Sequence, residues 1–277
     1  MEKRIQLLLC LVIMPWIFVA SPTIALAEKR VALILGNSAY EHSTPLRNPV
    51  NDANALSKAF TQLGFKVIHG VDQTKSGMDK QIQLFSEHLK GAELAVFFYA
   101  GHGIQLNFKN YLAPVDFNPR VDTNLISQLI SLDNILHELE KKKCISIIFL
   151  DACRDNPLAN KLAANLSSGR SLLIDKKRGV KVVGQGLAEV EGKAGTLIAY
   201  ATQPGNVASD GDGKNSPFTE SLLKYIEQPG LEIRDMLSYV RVRVIKQTAE
   251  KQIPWDHSSL VKKVYFKKKK RRFAPPP

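Results

Sequence analysis

Ala95-Val96-Phe97-Phe98-Tyr99-Ala100 running into Gly101-His102-Gly103, and Ile145-Ser146-Ile147-Ile148-Phe149-Leu150 running into Asp151-Ala152-Cys153-Arg154, decide how this chain folds. Both are apolar runs rich in β-branched and aromatic residues. Strands of a parallel sheet have this character, because helices cover both of their faces. In such folds, sites form at the carboxyl ends of the strands. Two strand ends thus offer a histidine and a cysteine to one edge. A thiol is a good nucleophile at neutral pH only when a base takes its proton or a cation stabilises the thiolate, and an imidazole does both. His102 and Cys153 form the candidate catalytic dyad.

Working outward, strand and helix patterns alternate. Strands are predicted over 30–35, 65–69, 93–99, 144–150 and 195–201, with a hairpin-like excursion over 111–115. Helices are predicted over 50–63, 76–90, 131–142, 218–227 and 231–250; in the second, Met78, Ile82, Phe85 and Leu89 recur at helical spacing. This order, with right-handed crossovers, gives a parallel sheet between two helical layers. Between Asn156 and Lys193 the periodicity disappears into Ser, Gly, Lys and Arg, and a connection of that length is functional or disordered. The 210–215 segment is not a calcium loop, since Lys214 stands at its third ligand position and Ser221 where a glutamate is required. Gly184-Gln185-Gly186 lacks the strand–turn–helix setting of a dinucleotide loop.

The chain has 277 residues. Residues 1–27 read as a secretory signal peptide: Lys3 and Arg4 precede an apolar stretch from Leu7 to Ala20, and Ala25-Leu26-Ala27 supplies small residues before Glu28. The other reading of this segment is a retained anchor helix, although its apolar core is short for a bilayer span. The expectation is a periplasmic or secreted protein with a single domain over 28–260. Of three cysteines, Cys144 and Cys153 follow the signal segment, at opposite ends of one predicted strand. The rise of about 3.3 Å per residue separates them too far for a disulfide. Cys144 is expected in the core. Net charge is +12, and most of it lies in the basic C-terminal tail, 261–277, leaving the body nearly balanced. That argues against a nucleic-acid-binding fold and leaves the tail as a contact for an anionic surface or as a solvated end. The sequence offers no Cys/His spacing for zinc and calls for no cofactor. It says nothing of oligomeric state.

Further blocks accompany the dyad. Val31-Ala32-Leu33-Ile34-Leu35-Gly36-Asn37-Ser38-Ala39-Tyr40 is followed by Pro45-Leu46-Arg47-Asn48-Pro49-Val50-Asn51-Asp52-Ala53, and later come Ala199-Tyr200-Ala201-Thr202-Gln203-Pro204-Gly205 and Ser216-Pro217-Phe218-Thr219. With these, the chain resembles the caspase-like cysteine peptidases of clan CD, and most closely the paracaspases and their bacterial relatives. The resemblance implies a three-layer αβα sandwich around a six-stranded, mostly parallel sheet. It implies that Cys153 attacks the scissile carbonyl, that His102 serves as its base, and that backbone N–H groups of Gly103 and Cys153 hold the oxyanion.

The same resemblance implies peptide substrates with Arg or Lys before the scissile bond. Asp151 and Asp52 match acidic pocket residues of the paracaspases, and Asp210 falls near the place where caspases carry a pocket arginine. Asp52 also reads as an acid favoured in the first turn of a helix. The 156–193 stretch corresponds to the region that caspases cut between their subunits, so self-cleavage between Arg170 and Lys181 is expected. Two departures matter. Ala39 stands where some metacaspase-like enzymes have an aspartate, and Arg154-Asp155-Asn156-Pro157 replaces the metacaspase His-Ser-Gly, which argues against calcium dependence. The competing class is a catalytically silent caspase-like interaction module.

Overall fold

The computed structural model describes residues 28–106, 108–119, 125–153, 187, 193–203 and 208–269, with Cys153 described by its backbone. The expected signal segment, almost all of the 156–193 connection with its proposed cleavage bonds, and 270–277 lie outside the described residues.

The two quoted runs are neighbours at the centre of the sheet. Leu94–Leu106 (β3) and Ile145–Cys153 (β6) pair in parallel from Leu94↔Ile145 to His102↔Cys153. Arg30–Gly36 (β1) flanks β3, Lys66–Val71 (β2) flanks β1, and Thr196–Tyr200 (β7) flanks β6, all parallel. The sixth strand, Trp255–Ser258 (β8), closes the order β2-β1-β3-β6-β7-β8 antiparallel to β7. Two short strands, Lys109–Leu112 (β4) and Ile130–Ser131 (β5), extend the sheet from the far half of β3.

Helices cover both faces. Pro49–Gln62 (α1), Pro217–Tyr225 (α4) and Ile233–Gln247 (α5) pack over one face, where Ile34, Val96, Phe98, Ile147 and Phe149 meet Leu56, Phe218, Leu222 and Val240. Lys75–His88 (α2) and Leu132–Lys141 (α3) cover the other, where Leu33, Phe97, Ile148 and Ile198 meet Met78, Phe85, Ile135 and Leu139. Successive strand residues thus enter opposite cores, which is why the runs are apolar at nearly every position; Ser146, the exception, donates its hydroxyl to Cys144 O. The architecture is the three-layer sandwich expected from sequence.

Three expectations need correction. β3 does not stop at Tyr99: it continues through Gly101-His102-Gly103 to Leu106, because past the parallel register it finds a new antiparallel partner in β4. The 111–115 excursion is accordingly the return arm of a hairpin. β8 was not foreseen, since Trp255-Asp256-His257-Ser258 is a half-exposed edge strand without an apolar run. The folded body also passes the expected boundary at 260: Val264 and Phe266 are buried, Phe266 edge-on to Phe60, and Tyr265 bridges to Glu232. Cys144 lies just before β6, half-buried and unbonded to another cysteine, and burial pushes its thiol pKa up.

Candidate active site

The register partnership His102↔Cys153 puts the two dyad residues side by side on adjacent strands, at the inter-strand spacing of about 4.8 Å. His102 is almost fully buried, and its surroundings come from the 37–48 loop. Asp72 accepts from the Ser38 and Ala39 N–H groups at 2.7 and 2.9 Å, and Asn37 donates to Ala113 O at 3.1 Å, which pins the start of that loop. Tyr40 then lies against the imidazole, with ring centroids 4.3 Å apart. Its hydroxyl accepts from His102 N at 2.7 Å and sits 3.2 Å from the Tyr99 hydroxyl. Tyr99 in turn donates toward His102 O and Ala113 O at 2.9 and 3.0 Å.

Glycine at 101 is a requirement of this arrangement. Its φ is +150°, and a Cβ there would come within 2.6 Å of both tyrosine hydroxyls. Gly103 is tight as well, since a Cβ would meet Leu187 at 2.9 Å and Ala152 at 3.3 Å.

The tautomer of His102 follows from its partners. Nε2 lies 3.1 Å from Thr44 O, and a carbonyl only accepts, so Nε2 carries the hydrogen. Nδ1 is buried, has no hydrogen-bond partner among the described residues, and keeps its lone pair. Burial pushes the imidazole pKa below its ordinary value, partly offset by the Thr44 carbonyl and the charge of Asp210. A neutral imidazole with an unengaged acceptor nitrogen beside the Cys153 position is what a general base requires.

The acidic candidates converge. Asp52, in the first turn of α1, is 1% exposed; Asp151, two residues before Cys153 on β6, is 6% exposed. Asn215 Nδ2 and Ser216 N donate to Asp52 Oδ1 at 2.8 and 3.1 Å. The Ser216 hydroxyl donates to Asp151 Oδ2, and so does the Thr219 hydroxyl at 2.8 Å. Ser216 is also the N-cap of α4, where its oxygen accepts from Thr219 N at 3.0 Å. Among the described residues no lysine or arginine pairs with either carboxylate. Burial, then the neighbouring acid charges, push both carboxyl pKa values well above the usual range; the hydrogen bonds only partly offset this.

Asp210 is near enough to act on Asp52, Asp151 and His102 electrostatically. Its carboxylate, however, already accepts from Arg47 N at 2.5 Å and Asn48 N at 3.1 Å. It therefore latches the end of the same loop that holds His102. Sequence reasoning missed Tyr40 and Tyr99 as histidine supports and Asn215, Ser216 and Thr219 as carboxylate holders. The Ser-Pro-x-Thr helix start was a legible capping signal, but nothing local tied it to Asp151. Among the described residues no group of three or more His, Cys, Asp or Glu is placed to hold a metal ion.

A histidine beside a cysteine at the carboxyl edge of a parallel sheet, with two buried carboxyl groups near it, is the arrangement of a cysteine-peptidase type of site. The chain belongs to the caspase-domain family of peptidases, whose family model matches residues 29–265. It is 33% identical over 132 residues to the human mucosa-associated lymphoid tissue lymphoma translocation protein 1, and equally so to the mouse homologue. These matches cover 47% of this chain but only 15% of those relatives. The crystal structure of caspase-1 from Spodoptera frugiperda superposes with a TM-score of 0.61 at 19% identity, covering 89% of this chain and 92% of that one. That likeness shows the fold.

Proposed function

We propose that this chain is an active cysteine endopeptidase that cleaves after Arg or Lys. The observation that carries the reading is the pair Asp52 and Asp151: two buried carboxylates, held by neutral donors and lacking a cation among the described residues, beside the dyad. Buried carboxylates without a counter-charge are costly, and a guanidinium binding both would remove the penalty. His102 Nδ1 takes the Cys153 thiol proton, the thiolate adds to the scissile carbonyl, and the imidazolium returns the proton to the leaving amine. Water, deprotonated by the same nitrogen, then releases the acyl group. Gly103 and Cys153 backbone N–H groups serve the oxyanion. Asp210 acts chiefly by holding the 37–48 loop.

In the same proposal, the protein is exported on the 1–27 segment and cuts itself between Arg170 and Lys181. Fluorogenic peptides ending in Arg, Lys or Asp test the specificity. Hydrolysis of the first two, lost in Cys153→Ala and His102→Ala, supports the reading; efficient cleavage after Asp, or no hydrolysis of any, overturns it. Fragments that persist unchanged in purified Cys153→Ala would show that nicking of the 170–181 stretch is not self-processing.

A further inference from the structure

The candidate dyad and the buried acid pair occupy the end of the sheet where the parallel strands finish, and the end where they begin is lined with lysines. Backbone bonds define that end as one row: Glu93 N to Lys29 O, Ile145 N to Glu93 O, Ser146 N to Gly195 O, and Gly195 N to Ser259 O. Exposed lysines flank every parallel strand start along it. Lys66 opens β2, Lys29 and Lys90 stand beside β1 and β3, residues 141–143 precede β6, and Lys193 precedes β7.

The segment after β8 returns to the same end. Gly230 N donates to Lys267 O at 2.8 Å, and the Arg30 guanidinium to Phe266 O at 2.6 Å. With Val264 and Phe266 anchored in the core, Lys267, Lys268 and Lys269 are held exposed against the start of β1 rather than on a free tail. Carboxylates are present but fewer: Glu93 is exposed in the row itself, Lys141 pairs with Glu138 at 2.8 Å, Lys193 binds Glu140 at 2.6 Å, and Glu28 lies between Arg30 and Lys268. The helix dipole accounts for residues 141–143 at the end of α3 and for Lys90 just past α2, but not for Lys29, Lys66, Lys193 or Lys267 to Lys269.

A second observation is the place of Glu28. It is the residue that the apolar 7–20 run precedes in sequence, and it lies in the middle of this lysine field, 3.5 Å from Lys268. Beyond Lys269 the sequence continues Lys270-Arg271-Arg272. With the 1–27 segment retained, as in its anchor reading, the stretch with affinity for hydrocarbon and the densest cation array meet the folded body at one end. We infer that this end is a docking surface for an anionic phospholipid bilayer, which turns the candidate active site away from the membrane. The row from β2 to β7 spans about 20 Å, wide enough for several headgroups, and each lysine within a Debye length of the surface adds attraction that salt screens. A nucleic acid would also attract the lysines, but it has no use for the apolar run.

The inference does not depend on the peptidase reading. The test is partitioning of the full-length chain onto vesicles of phosphatidylcholine alone and of phosphatidylcholine mixed with phosphatidylglycerol. Any contribution of the apolar run is common to both, so the ratio of the two partition coefficients reports electrostatic attraction, to which Lys3 and Arg4 also contribute, and the lysine variants assign it to the surface. The expected ratio is on the order of tenfold or more at low salt, collapsing toward one at high salt. Combined Lys66→Gln, Lys143→Gln, Lys267→Gln and Lys269→Gln, all at exposed positions on this end, lowers it toward one. Lys214→Gln with Lys251→Gln, at the opposite end, leaves it unchanged. A ratio near one for the unaltered protein, a ratio undiminished in the fourfold variant, or tighter binding to duplex DNA than to the mixed vesicles at equal salt overturns the proposal.

Discussion

Replacing Asp52 by asparagine should stabilise the protein while weakening the activity proposed for it. Asp52 Oδ1 receives both of its hydrogen bonds, from Asn215 Nδ2 and Ser216 N, and an asparagine oxygen accepts the same two. The substitution therefore removes charge and little else. Burial first, and then Asp151, push the Asp52 carboxyl pKa up to about 8 from an unfolded value of 3.8. A carboxyl raised in the folded state contributes stability that is fully present below its unfolded pKa and is lost as pH rises through the folded one. The unaltered protein thus loses stability from about pH 4 toward about pH 8, and Asp52→Asn does not share that loss. At about 1.4 kcal/mol per unit, and allowing for a proton shared with Asp151, the variant gains on the order of 2–4 kcal/mol at neutral pH and close to nothing near pH 4. Urea denaturation of both proteins across this range measures the difference. For arginyl peptides, kcat/KM should fall by the equivalent of about 2–5 kcal/mol, as it does when one partner of a buried charge pair is removed. A gain independent of pH, or a loss of stability at neutral pH, refutes the strained acid pair.

Asp151→Asn should act in the same direction on both quantities. Tyr40→Phe leaves the His102 backbone N–H without its acceptor at a cost of about 1–3 kcal/mol; kcat should fall while KM for arginyl peptides stays put, because Tyr40 supports the histidine. Gly101→Ala forces a strained φ and a clash with two tyrosine hydroxyls, and thermal or urea unfolding should show a loss of about 2–4 kcal/mol. In the Cys153→Ala protein, where the thiol no longer couples to it, NMR should show His102 titrating below the ordinary imidazole value of about 6.5. Asp210→Asn should lower it further by removing a negative charge, and a titration at or above the ordinary value contradicts the burial argument.

Much of this molecule was legible before any coordinates. The central strands announce themselves because a residue run buried on both faces must be apolar at every step, and the helices because their buried residues recur every three or four positions. Those are local constraints, so local sequence carries them. The juxtaposition of His102 and Cys153 was legible for the same reason: a histidine and a cysteine each follow a buried run, and parallel register makes them partners.

What escaped local reading depends on which segments the sheet order brings together. Asp52 and Asn215 meet across 163 positions, and Ser216 reaches Asp151 across 65. Neither contact has a periodic signature. Asp52 alone also reads as a helix first-turn acid, and becomes half of a carboxylate pair only because α1, β6 and the start of α4 converge at one sheet edge. Asp210 reverses the case: it was read as a pocket acid, but folding engages its carboxylate with the backbone of residues 47 and 48. Val264 and Phe266 were hidden inside a charge run, since two apolar residues among lysines do not declare a core position until Phe60 and Phe65 are seen to leave room for them. Composition and periodicity report how much surface a segment must bury, whereas the partner it is buried against is set by long-range packing that no single window of the chain contains.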